Sequence, residues 1–376
     1  MARVLLAPDK FKGTVTAAEV AAHVATGLRA VVPDVDVRVV PVADGGDGTL
    51  AAAEAAGFER VAVTATGPTG MPRASAFGRR DGEAVVELAE ISGLGQLPDG
   101  RLAPLAATSR GTGELIAAAL DAGCRRVVVG VGGSASTDGG AGMVEALGAR
   151  LVDAEGSPVQ PGGAALVDAV ELDLSGLHPA LREAELVVAS DVDNPLTGPK
   201  GAAAVYGPQK GATPEQVEQL DGALAHWADL VAKATGADRR DTPGAGAAGG
   251  VGFGLVAVLG ATTRPGAQLV FELTGLLEEL EAADLVVTGE GSLDRQTLHG
   301  KAPAAVAAAA RDAGVPVVAV AGRVTLTDGE VADAGLTAAY ALLDEASSED
   351  EAMTRPGPLL ERIGSRIATE HLAGAS

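Results

Sequence analysis

Both ends of the chain alternate short β-branched apolar runs with alanine-rich stretches of helical length, and few folds accommodate that rhythm. RVLLA at 3–7, TAAEVAAHVATGLRAVV at 16–32, VRVVPVA at 37–43 and a helix from about Asp47 to Ala56 read as β-α-β-α. The rhythm returns with ADLVVTGEG at 283–291, APAAVAAAARDAG at 302–314, VPVVAVAGRV at 315–324 and LTAAYALL at 336–343. Strands that are apolar throughout and separated by helices predict a parallel sheet with helices on both faces.

The middle of the chain behaves differently. PRASAFGRRDGEAVVEL at 72–88 and ARLVDAEGSPV at 149–159 read as hairpins, set among helices and the apolar runs RRVVVGVGG and ELVVASDV. The spacing therefore predicts an α/β protein of two domains. One is a discontinuous Rossmann-like domain with a parallel sheet, residues 1–66 and 270–376; the other is an α/β domain, residues 67–269, inserted in the middle of the chain. A length of 376 residues suits two domains of ~150 residues or more. The stretch 214–235 reads as an amphipathic helix packing through Trp227, and 354–372 as a terminal helix.

Composition removes several classes of function. Twenty-eight Lys and Arg against fifty Asp and Glu leave a net charge of −22, which disfavours a nucleic acid backbone and an anionic membrane surface as partners. Five Phe, two Tyr and one Trp are scattered, so no aromatic platform for stacking bases is expected. The single cysteine, Cys124, has no partner for an internal disulfide and reads as a buried thiol in a reducing compartment. MARVLLAPDKFKG meets charges too soon, and lacks the cleavage site, for a signal peptide, and the expected location is cytoplasmic. Residues 243–263 carry no charge, yet their glycines point to a buried loop and helix and not to a membrane span.

Six segments place glycine beside charged or hydroxyl residues where an apolar run ends: APDKFKGT (7–14), PVADGGDGT (41–49), GVGGSASTDGG (130–140), SDVDNPLTGPKG (190–201), GPQKGA (207–212) and TGEGSLDRQTLHGK (288–301). Loops at the carboxyl ends of parallel strands gather ligands, and glycine lets backbone amides approach an anion. Five of the six lysines, Lys10, Lys12, Lys200, Lys210 and Lys301, fall in these segments, as point charges suited to phosphate. The same segments carry Asp9, Asp44, Asp47, Asp138, Asp191, Asp193, Glu290 and Asp294, the hard oxygen ligands and proton acceptors of phosphoryl transfer. Asp47 and Asp138 precede Ala-rich helices and read equally well as N-caps. No G-x-x-x-x-G-K-[ST] or G-x-S-x-G occurs, and the five histidines form no metal-spaced pair. GAGAAG at 244–249 matches a dinucleotide fingerprint without a preceding strand, and GVGGSA at 130–135 follows a strand but lacks the ribose acid. A nucleotide-dependent oxidoreductase of a small hydroxy acid is the second reading, and a non-catalytic anion-binding protein the third.

Taken in order, APDKFKGTVTA, PVADGGDGT, GVGGSASTDGGAGM, SDVDNPLTGPKGAAAVYGPQKGA, GAGAAGGVGFGL and TGEGSLDRQTLHGKAP resemble the glycerate kinase family of bacterial glyoxylate and glucarate metabolism. The family form of the third motif is GGSATNDGG, where this chain has Ser136, Thr137 and Asp138. The resemblance implies two α/β domains, one of them Rossmann-like, and ATP-dependent phosphorylation of D-glycerate with Mg²⁺, the product being 2- or 3-phosphoglycerate. On that footing Lys10 and Lys12 are candidates for holding the glycerate carboxylate or the γ-phosphate, and Arg110 for a carboxylate clamp, with Asp47 and Lys200 also in substrate binding. Asp191 is the candidate base or metal ligand, and Asp294 and Glu290 the alternative metal pair. Gly132, Gly133, Ser134 and Ser136, with Lys210 and Lys301, are expected at the nucleotide. Expected partners are small molecules alone, for a monomer or a homodimer.

Overall fold

The computed structural model describes residues 2–11, 13–299 and 301–372. Lys12 lies outside the described residues. The first part of the chain supplies β1 (Arg3–Pro8) and β2 (Asp36–Val39). The middle supplies β3 (Glu59–Thr66), β4 (Pro72–Arg80), β5 (Glu83–Glu87), β6 (Arg126–Gly130), β7 (Arg150–Val152), β8 (Glu171–Asp173), β9 (Glu185–Ala189) and β10 (Thr262–Arg264). β11 (Leu285–Leu293), β12 (Val317–Val324) and β13 (Ala338–Ala341) complete the set. Two compact units result: Met1–Asp44 with Ala267–Ser376, and Gly45–Gly266.

The first unit holds a parallel sheet in the order β13-β12-β11-β1-β2. Successive residues of a strand point to opposite faces, and both faces here are covered. Val4, Leu6, Val287 and Val320 pack with the helices Ala17–Val31 and Pro356–His371. Leu5, Ala7, Val286 and Ala319 pack on the other side with the helix Ala302–Ala313. This double burial explains the unbroken apolar runs. The helix Ala17–Val31 begins at a reciprocal cap, the Thr16 hydroxyl accepting from the Glu19 amide and the Glu19 carboxylate from the Thr16 amide, worth ~1 kcal/mol. Strand order reverses between β1 and β11, which creates the crevice where ligands of open α/β sheets bind.

The second unit holds a six-stranded sheet, β10-β9-β6-β5-β4-β3, and the small antiparallel pair β7-β8. β5, β6, β9 and β10 run parallel, while β3 and β4 are antiparallel additions. β4 and β5 form the expected hairpin, turning at Asp81 and Gly82, both at positive φ. Residues 45–66, expected with the outer segments, carry β3, which pairs with β4 in this sheet. Residues 149–159 turn back as expected, through the bridge from Val152 to Pro158 and the Asp153 and Val159 amides donating to the Ser157 and Leu151 carbonyls at 2.9 and 3.1 Å, and β7 pairs on its other side with β8. Trp227 lies buried on the helix Pro214–Thr235, among Leu196, Leu220, Leu224 and Phe253, as its apolar spacing predicts. Cys124 is buried. The uncharged segment is folded inward through Gly254, and among the described residues no helix is long and apolar enough to cross a membrane.

Candidate active site

In the first unit, the carboxyl end of β1 lies beside Gly289 of β11, the Asp9 amide donating to the Gly289 carbonyl at 2.8 Å, and β11 runs on to Leu293. Lys10 follows β1, and its amide donates to the Asp9 carboxylate at 2.6 Å. Burial pushes the Asp9 carboxyl up to about 7, and the negative charges of Asp44 and Glu290 add to the effect. Glu290 accepts from the Thr297 hydroxyl and from the Lys301 ammonium, the latter at 3.4 Å. Burial raises its pKa against those two stabilising partners. Asp294, four residues on, accepts from the Gln296 amide at 2.8 Å and donates its own amide to Thr297 at 3.1 Å. Lys10 thus follows β1, and Glu290, Asp294 and Lys301 lie in and after the neighbouring β11, with Lys301 immediately before the helix Ala302–Ala313. Asp9 and Asp44 join them electrostatically, a coupling that spacing along the chain does not reveal. Among the described residues no three His, Cys, Asp or Glu are grouped as a ready-made metal cage. Mg²⁺ takes one or two carboxylates together with phosphate oxygens and water, and Glu290 and Asp294 fit that use.

In the second unit, the loop after β6 is held from several sides. A Cβ on Gly132 would stand 2.5 Å from the Gly46 Cα, so this loop and the loop containing Asp47 touch backbone to backbone. The Ala135 amide donates to the Ser92 carbonyl and the Leu94 amide to the Gly133 carbonyl, both at 2.9 Å. Gly133 is exposed, while Ser134 and Ser136 are buried. Lys210 is enclosed completely, its ammonium donating to the Ser134 hydroxyl at 2.7 Å and to the Ser136 carbonyl. Burial pushes that ammonium down to about 7, opposed by the charge of Asp138. Asp138 accepts from the Ser109 amide and hydroxyl, both at 2.8 Å, and from the Gly140 amide at 3.2 Å. It is therefore a buried hub for the loop, with the helix Ala141–Ala146 starting just beyond it. The segment 248–250 is left-handed and presses on the same loop: a Cβ on Gly249 would lie 2.0 Å from the Ser136 carbonyl oxygen. The hydroxyls of Ser136 and Thr137 are buried without a partner among the described residues.

The other expected residues are more open. Arg110 opens the helix Arg110–Asp121, and its Nε donates to Glu114 at 3.2 Å. Glu114 in turn holds the Thr66 amide at 2.6 Å. Asp191 lies just beyond β9 and accepts from the Gly266 amide at 3.0 Å. Lys200 is exposed, and its carbonyl accepts from the Asn194 side chain at 2.8 Å. Asp47 is exposed and does not cap the helix Thr49–Ala55, whose N-cap is Gly48 at φ 104°.

A model of the glycerate kinase family matches residues 4–372, which is nearly the whole chain. The chain belongs to the glycerate kinase family. It is 46% identical over 369 residues to a glycerate kinase of Bacillus subtilis strain 168, covering 97% of each chain. It is 44% identical over 354 residues to a glycerate 2-kinase of Escherichia coli K12, covering 93% of each. A crystal structure from Salmonella typhimurium LT2, of a protein provisionally named glycerate kinase 2, superposes with a TM-score of 0.86 at 42% identity, over 100% of this chain and 99% of that one. As a glycerate kinase family member the chain is an enzyme of the phosphotransferase class, and the oxidoreductase reading finds no support. GAGAAG follows a turn at Thr242 and packs its left-handed residues against the loop after β6, so it is not the strand-to-helix turn that holds a dinucleotide.

Proposed function

We propose that the chain transfers the γ-phosphoryl group of ATP to D-glycerate with Mg²⁺, giving 2-phosphoglycerate, and that residues 45–266 act as an inserted domain. The observation that carries the reading is near full-length identity of 44% to the protein named glycerate 2-kinase. Supporting it, five of the six segments met in order along the sequence follow a strand, and in the first unit two of them meet at the reversal of strand order.

Phosphoryl transfer rests on positioning and charge. In the first unit, Lys301 and Lys10 supply positive charge for phosphate oxygens, and Glu290 and Asp294 are the carboxylates that would hold the metal ion. Mg²⁺, when bound, neutralises charge on the transferring phosphate. In the second unit, the exposed backbone at Gly133, beside the half-buried Gly132, suits phosphate contact, while Lys210 holds that loop from inside. Arg110 remains the clamp for the glycerate carboxylate, with its guanidinium steadied by Glu114, and Lys200 and Asp47 complete the proposed substrate contacts. Asp191 is the proposed base or metal ligand, and Lys12 a further phosphate or carboxylate contact. Clamping the carboxylate fixes the adjacent C2 hydroxyl more firmly than the rotatable C3 hydroxymethyl, which favours the 2-phosphate. The test is ADP formation by the purified protein. Release that requires both D-glycerate and Mg²⁺ supports the reading, and turnover indifferent to glycerate refutes it.

A further inference from the structure

Glu87 is the last residue of β5, beside Gly130 of β6 at the carboxyl edge of the six-stranded sheet. It is 2% exposed, and both its carboxylate oxygens go to backbone amides across 37 residues of chain or more: Oε1 to Gly48 at 3.0 Å, Oε2 to Leu50 at 2.9 Å. The helix Thr49–Ala55 that begins there has no side-chain cap of its own. Its start is wedged against the neighbouring strand, for a Cβ on Gly130 would lie 2.6 Å from the Gly45 carbonyl oxygen. A short polar side chain at the helix start is the ordinary solution to such amides, whereas a buried carboxylate carries a desolvation cost. That cost is visible in its pKa, raised to about 7 chiefly by burial.

We propose that Glu87 is a positioning residue for the enzyme, fixing the loop 45–48 and with it Asp47 by a two-point grip on the Gly48 and Leu50 amides. The inference rests on the reading that this loop serves glycerate phosphorylation. An ionised carboxylate offers both oxygens as acceptors, and protonation turns one of them into a donor, so acid loosens the grip. The charged groups around Glu87 are Asp47 in the gripped loop and Glu90 on the following turn, both of which hold its proton more firmly. Glu54 on the helix and Glu90 are in turn bound by Arg60 of β3, at 2.7 and 2.8 Å.

The experiment compares wild type with Glu87→Gln by hydrogen exchange of residues 45–52 and by kcat/KM for glycerate from pH 6 to 8.5. The expected variant exchanges about fivefold faster in that segment and keeps wild-type protection in β6 and β9. Its kcat/KM at pH 8 is lower by about tenfold, and flat where the wild type declines below pH 7. Unchanged exchange with an unchanged pH profile overturns the proposal, and so does faster exchange throughout the sheet, which marks a merely structural role. If the variant does not fold, the wild type alone decides. Its segment 45–52, corrected for intrinsic rate, must lose protection from pH 8 to pH 6, and constant protection overturns the inference. Failure of the wild type to phosphorylate glycerate would refute the proposed function, whereas the exchange arms report on Glu87 independently.

Discussion

Replacing Lys210 with methionine keeps most of the side chain's length and removes one enclosed ammonium. The wild-type group has a pKa of about 7 in the fold against 10.5 for an ordinary lysine. Between those values the unfolded chain holds the proton and the folded chain has released it. Stability therefore rises with pH across that window, by about 1.4 kcal/mol per pH unit for one group. Below about pH 7 both states hold the proton, and this contribution to the slope vanishes. Methionine does not titrate, and in a wild-type against variant comparison the remaining groups cancel. The wild type should thus gain about 2 kcal/mol on the variant from pH 7 to pH 9, allowing for half-titration at the lower pH. The loss of a buried donor to the Ser134 hydroxyl and the Ser136 carbonyl, at ~1–3 kcal/mol each, is independent of pH and leaves this change unaltered. Trp227 is the sole tryptophan and lies buried in the same unit, its Nε1 donating to the Gly139 carbonyl at 3.0 Å. Urea titrations followed by its fluorescence consequently read this unit. A gap that is the same at pH 7 and pH 9 would refute the reasoning.

Gly249→Ala should destabilise the same unit by at least ~2 kcal/mol, since a Cβ there meets the Ser136 carbonyl oxygen and φ is +70°; a urea midpoint equal to wild type would contradict this. Asp9 is protonated in the fold up to about pH 7 and its unfolded counterpart only to about 4, so stability falls with pH between those two values and this contribution to the slope vanishes above about 7. Asp9→Asn escapes that loss, and calorimetry should show the variant gaining on wild type from pH 5 to pH 7 and no further above it. Glu290→Gln and Asp294→Asn should each raise the Mg²⁺ concentration for half-maximal activity about tenfold, and an unaltered Mg²⁺ titration would remove both from the metal site.

The parallel sheet is legible in the sequence because burial of both faces leaves stretches such as residues 4–7 of β1 without a polar residue. Strand partnership is less so. β3 alternates exposed and half-buried residues, and nothing in that alternation says that its neighbour is β4 or which unit it joins. The glycine-flanked lysines GPQKGA and LHGKAP look alike, yet Lys210 is enclosed and Lys301 partly open at a helix start. Depth comes from the packing of distant segments, here 134–136 and 248–250, and not from local composition. Asp47 reads as a helix cap because it precedes one, but Gly48 takes the left-handed conformation at the cap and the amides go to Glu87. That acceptor comes from a strand that the sequence shows only as AVVEL, with no local mark of a role. The clustering of Asp9, Asp44 and Glu290 follows from the parallel adjacency of β1 and β11, which join residues some 280 apart.

The proposed activity is phosphorylation of glycerate at C2 at the expense of ATP. Purified protein with ATP, Mg²⁺ and D-glycerate, coupled to enolase alone, measures it directly. Immediate formation of phosphoenolpyruvate is the predicted result; phosphoenolpyruvate only after phosphoglycerate mutase is added would show that the C3 hydroxyl is the nucleophile, and no ADP at all would contradict the account.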